Sequence, residues 1–118
     1  MKFKALAAYF YRSTVGNEPV RDWLKRLNKE EKKTIGHDIQ TVQYGWPLGM
    51  PLVRNLGDGL WEIRSTLSSS KIARVIFFMH HDTMILLHGF IKKTQKTPPA
   101  DIALAKRRMN EVIKHEKK

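Results

Sequence analysis

The sequence contains no cysteine. That excludes disulfides and thiolate metal sites, so packing and hydrogen bonds must hold the fold. Acidic residues are scarce: 11 Asp and Glu stand against 22 Lys and Arg, for a formal net charge of +11. Such a balance favours a polyanionic partner: nucleic acid, an anionic membrane surface or an acidic protein. Long apolar runs are missing as well. None approaches the roughly 20 residues needed to span a bilayer, and no membrane partner is expected. The start of the chain looks like a signal peptide only superficially. Tyr9, Tyr11 and Arg12 interrupt its apolar core, and Pro19 and Arg21 follow. It reads as an edge strand and the protein as cytoplasmic. No internal repeat, linker or second domain is visible, so residues 1–118 read as a single domain.

What is there suffices for one modest core. The chain has 118 residues, 42% of them apolar, which argues against wholesale disorder. Residues 2–12 alternate imperfectly and predict a first strand. Asn17 can cap a helix that begins near Glu18 and Pro19, with Val20, Trp23, Leu24 and Leu27 at helical spacing. Asn28 and Glu31 have the form of a capping box, so a second helix should follow at once. Ile35, Ile39 and Val42 give it an apolar stripe, and Gly45 is a plausible C-cap before Pro47. Gly36 weakens this helix and can mark a close approach. A short strand is expected over Leu52 to Leu56, with Gly57-Asp58-Gly59 as the turn that follows.

The centre of the chain reads as three consecutive strands: Leu60 to about Leu67, Ile72 to Met79, and Thr83 to about Ile91. Ser68-Ser69-Ser70 and His80-His81-Asp82 supply the turns. Short joins predict an antiparallel meander. Thr97 as cap and Pro98 in the first turn predict a last helix. Ile102, Ala105, Met109, Val112 and Ile113 form its apolar face, with fraying from His115 onward. The order is that of an α+β domain: N-terminal strand, helical hairpin, antiparallel meander sheet, C-terminal helix.

Cations recur inside the meander. Arg64, Arg74, Lys92 and Lys93 lie on adjacent strands or their ends, where they can converge on one sheet face and hold a phosphate backbone. Arg74 has the most central place of the four. The bland reading of each is a solvated strand end that guards an edge. Glu62 shares a face with Arg64, either as a general base or in a structural ion pair. His88 alternates with Met84, Leu86 and Phe90, which suits a core histidine, but it is also close to Lys92. Tyr44 and Trp46 can stack on a base or plug the edge of the core. Lys106, Arg107 and Arg108 form either a phosphate-contacting patch or a solvated helix face. No metal is expected at His80-His81-Asp82, because adjacent histidines in a tight turn should point apart and no third ligand is visible.

Leu60-Trp61-Glu62-Ile63-Arg64, Arg74-Val75-Ile76-Phe77-Phe78 and His88-Gly89-Phe90-Ile91-Lys92-Lys93-Thr94-Gln95-Lys96-Thr97-Pro98 together resemble the RelE/HigB-like toxins of type II toxin–antitoxin systems, in particular their phage-derived branch. The resemblance spans nearly the whole chain. It implies the RelE-like toxin fold and a metal-independent endoribonuclease without cofactor. Such a toxin cleaves mRNA, often on the ribosome, and is inhibited by a cognate antitoxin, often a helix-turn-helix protein. It implies catalytic roles for Arg64, Arg74, Lys92 and Lys93; from its central place in the meander, Arg74 is expected to matter for the chemical step more than for binding. Trp46, Glu62, His88, Lys106 and Arg107 are the candidates for contact with RNA. Some relatives use a tyrosine near the C-terminus in proton transfer. Here no tyrosine follows Tyr44, so the general acid and base stay unassigned. The other reading of the same charge is a non-catalytic basic regulator that binds nucleic acid.

Overall fold

The computed structural model describes residues 5–116. Strand β1 (Ala7–Phe10) leads to α1 (Pro19–Lys25) and α2 (Lys29–Gly45). Four strands follow: β2 (Val53–Gly57), β3 (Leu60–Thr66), β4 (Ile72–His80) and β5 (Thr83–Lys92). Helix α3 (Pro99–Glu116) comes last. Strands β2 to β5 form the expected antiparallel meander, and β1 joins at the edge, parallel to β5. The expected α+β arrangement is the observed one. Residues 2–4 of the expected first strand lie outside the described residues. No helix among the described residues is long and apolar enough to cross a membrane.

Local signals explain most boundaries. The Asn28 side chain accepts from the Glu31 amide at 2.8 Å, and the Glu31 carboxylate accepts from the Asn28 amide at 3.1 Å. This capping box starts α2 where the sequence places it. At α1 the cap position belongs to Glu18 rather than Asn17, and it makes no side-chain cap bond. Pro19 provides the start, since its missing N–H would be unpaired there anyway. Gly36 is exposed and a Cβ there would meet nothing within 4 Å, so it marks no close approach. Gly89 does: a Cβ there would lie 2.4 Å from the Trp23 ring, so α1 can cross β5 only over a glycine.

The sheet separates two cores. Under α1 and α2 lie Val20, Ile35, Ile39 and Val42 against Val53, Ile63, Val75, Phe77, Met84 and Leu86. Under α3 lie Ala105 and Met109 against Leu60, Ile76, Phe78, Leu87 and Phe90. One register shift matters. Ile76 pairs with His88 and Phe77 with Leu86, which leaves Leu87 as an extra residue in β5. This bulge reverses the alternation. His88 therefore lies on the α3 face with Phe90, not with Met84 and Leu86 as simple alternation predicts. The Leu87 carbonyl accepts from Arg108 at 2.8 Å, and the Arg108 guanidinium sits 5.3 Å from the Tyr11 ring centroid. Arg108 is thus a half-buried brace, unlike the exposed Lys106 and Arg107 beside it.

Candidate nucleic-acid interface

Helix α3 covers only part of its face of the sheet. At the uncovered end, register aligns Arg64 with Arg74 and Arg74 with Phe90, while Lys92 pairs with Ile72. The expected convergence of Arg64, Arg74 and Lys92 on one face is present. Lys93 lies just past the end of β5 and is exposed.

The two arginines are committed to the protein in different degrees. Arg74 is fully buried. Its guanidinium donates to the Lys92 carbonyl at 3.3 Å and to the Thr94 carbonyl. Its Nε lies 4.0 Å from the Glu62 carboxylate and has no hydrogen-bond partner among the described residues. Burial first, and the neighbouring Arg64 second, pull its pKa below arginine's ordinary value, against the opposing pull of Glu62. Residues 92–97 cross over it. Arg74 therefore holds this crossing segment from beneath, and a direct contact with substrate would require the segment to move. Arg64 is nearer the surface, its side chain 8% exposed. It donates to Glu62 at 3.0 Å and to the Gln95 carbonyl at 3.0 Å.

Glu62 is the anchor of both. It is buried, and its second oxygen accepts from the Thr97 hydroxyl at 2.6 Å. Two expectations change here. Glu62 has no surface to offer RNA and takes the ion-pair reading instead, fixing Arg64, the arginine nearer the surface. Thr97 ties down the crossing segment, whereas the sequence suggests a helix cap.

A second polar cluster stands beside the first. His88 meets Asp101 at 2.7 Å, and Lys92 donates to the other Asp101 oxygen at 3.1 Å. His88 also stacks on Phe90, and the Arg74 and Lys92 cations lie 5.8 and 5.5 Å from the centroid of that same ring. Burial lowers the His88 pKa, outweighing the upward pull of Asp101, while Arg108 and Lys92 lower it further. For Asp101 burial pulls upward, but the bonds from His88 and Lys92 prevail and hold the carboxyl below its ordinary value. The neutral His88 ring presents its Nε2 proton to Asp101 and keeps Nδ1 as an acceptor.

A cleft of about 370 Å³ opens beside Arg64, lined by Arg64, Thr66, Ser70, Lys71, Ile72, Gln95, Met50 and Pro51. Lys71, half-buried and 3.4 Å from Glu31, lines this cleft, a placement that sequence reasoning missed. Its signal was its position directly after the Ser68–Ser70 turn, at the mouth of the meander. A larger hollow, ≈ 440 Å³, runs along α3 past Lys106 and Arg107. It is a groove among the surface side chains of one helix, and Lys106 there pairs with Asp58 at 3.0 Å. Trp46 lies away from the cleft's lining. Its ring meets Trp61 edge-on at 4.9 Å and Phe77 at 5.5 Å, which makes it a plug of the α2-side core. Tyr44 is exposed.

A family profile described as "Phage derived protein Gp49-like (DUF891)" matches residues 22–110. No curated protein matches the chain.

Proposed function

The chain belongs to the phage-derived Gp49-like family, and from that premise we propose that it is a RelE/HigB-like endoribonuclease toxin of a type II toxin–antitoxin system, acting on mRNA and inhibiting translation. The observation that carries this reading is the cleft where Arg64, clamped by Glu62 and Gln95, meets Lys71 at the end of a basic sheet face. A guanidinium held this way is preorganised for the charge that builds on a phosphate during cleavage. Lys92 and Lys93 add charge at the rim. Arg74 and Glu62 act as positioning residues. Lys106 and Arg107 offer phosphate contacts away from the cleft, suited to ribosomal RNA. The same basic face suits an antitoxin segment rich in Asp and Glu.

RNA cleavage without a metal also needs a proton taken from the 2′-OH and one given to the 5′-oxygen. His88 stands outside the cleft's lining, so it serves the first task for RNA that runs from the cleft along the Lys92 rim. It is neutral near pH 7, Asp101 orients it, and it lies on the same strand and face as Lys92. The rate should rise with pH through a midpoint below 6.5, the ordinary histidine value, because burial lowers the His88 pKa.

One observation favours the alternative of a non-catalytic RNA-binding regulator: both sheet arginines already spend donors on protein acceptors. Induced expression followed by primer extension on a reporter mRNA separates the two. New 5′ ends that disappear in Arg64→Ala and Lys71→Ala, with folding checked by circular dichroism, support the toxin. Salt-sensitive RNA binding with no new ends from the wild type supports the regulator.

A further inference from the structure

The β4–β5 hairpin turns through two residues, His81 and Asp82, both with positive φ, at +50° and +63°. Two-residue turns of this kind favour Asn-Gly or Asp-Gly, because most side chains resist the left-handed region. Histidine occupies that region here at a cost in backbone strain, and the consequence is geometric. Adjacent residues on a flat strand would aim their rings apart. The left-handed turn brings the His81 ring beside that of His80, with centroids 4.4 Å apart. Both rings then face the last turn of α3. His80 Nε2 lies 2.9 Å from one oxygen of Glu116, and His81 Nε2 contacts the other. The three ligand atoms all fall within 4.8 Å of one another.

We propose that His80, His81 and Glu116 form a binding site for a divalent transition-metal ion of the zinc type, which clamps the C-terminal end of α3 to the β4–β5 hairpin. Two imidazole nitrogens and a carboxylate are a borderline donor set that suits zinc or its neighbours better than magnesium or calcium. Zinc bonds to nitrogen at about 2.0–2.1 Å and to carboxylate oxygen at about 2.0–2.2 Å, so its tetrahedral donors stand about 3.3 Å apart. The His80–Glu116 contact needs to open by only a few tenths of an ångström to reach that spacing. His81 is 73% exposed and Glu116 45%, so both can adjust and an ion can enter from solvent. One position remains for water. The Phe78 ring packs 5.4 Å from that of His80, and the Thr83 hydroxyl donates to the His80 carbonyl, which holds this ligand in place from behind.

The test is calorimetric titration of untagged full-length protein with zinc chloride, alongside His81→Ala and Glu116→Ala. Both residues are exposed, so neither variant threatens the fold. One saturable site per chain is expected, with a matching rise in melting temperature. Loss of a partner beyond the ligands typically costs about 10–100-fold in metal affinity, and loss of a direct ligand should cost no less. Each variant should therefore bind zinc at least about tenfold more weakly. Absence of saturable binding to the wild type overturns the proposal. Undiminished binding in both variants does so too, because it would place the ion on other histidines such as His37 or His115.

Discussion

Glu62 and Ile63 are neighbours in β3, both with no exposed surface, yet they point into different worlds. Ile63 enters the core beneath the helical hairpin, where its buried neighbours are apolar. Glu62 enters the opposite face, where it holds Arg64, contacts Arg74 and accepts from Thr97. The first face can be repacked by any side chains of suitable volume. The second depends on each partner being present, since a buried charge is tolerated only when paired. One face of the sheet thus carries a core alone, while the other carries both the core under α3 and the candidate site.

The sharpest way to break this comparison is to empty one position on each face. Glu62→Ala should lose about 3–5 kcal/mol, because it strands two arginines in a buried place. Ile63→Val should lose only about 0.5–1.5 kcal/mol, the usual cost of one buried methyl. Urea unfolding of the two variants measures both. Similar losses would mean that the polar face is not the interdependent network described.

A smaller effect is expected where the hairpin helices approach the sheet most closely. Gly89→Ala forces a methyl into the Trp23 ring and should lose about 1–3 kcal/mol, as overpacking does. Trp23→Leu in the same chain should recover part of the loss, and the non-additivity is readable in a double-mutant cycle. Purely additive losses would show that the two residues do not oppose each other.

The smallest effect has the opposite sign. Gly36 faces open space in the middle of α2. Gly36→Ala should raise stability by up to about 1 kcal/mol, seen as a higher melting temperature.

The elements were legible because their signals are local. The Asn28–Glu31 box, Pro19 and the turn-forming stretches between strands each act within a few residues, and the observed boundaries fall close to them. Convergence of Arg64, Arg74 and Lys92 was legible too, since antiparallel pairing and period-2 alternation suffice to predict it. The state of each cation was not. Arg74 is sealed because residues 92–97 cross over it, and nothing near position 74 encodes that crossing. His88 was placed on the wrong face because a bulge at Leu87 inserts one residue, a change supported by Arg108 from a distant helix. The paired histidines were expected to diverge, and a left-handed turn brought them together.

By itself, then, the sequence determined the strands, the helices, their order and the surplus of positive charge, all of which follow from short-range periodicity, capping and composition. Only the tertiary structure decided which charges are buried and which face solvent. Burial and pairing are set by segments far apart in the chain: Glu62 with Thr97, Arg64 with Gln95, His88 with Asp101, His80 and His81 with Glu116. The free energy of a charge depends on its surroundings more than on its identity, and those surroundings exist only once the chain has folded.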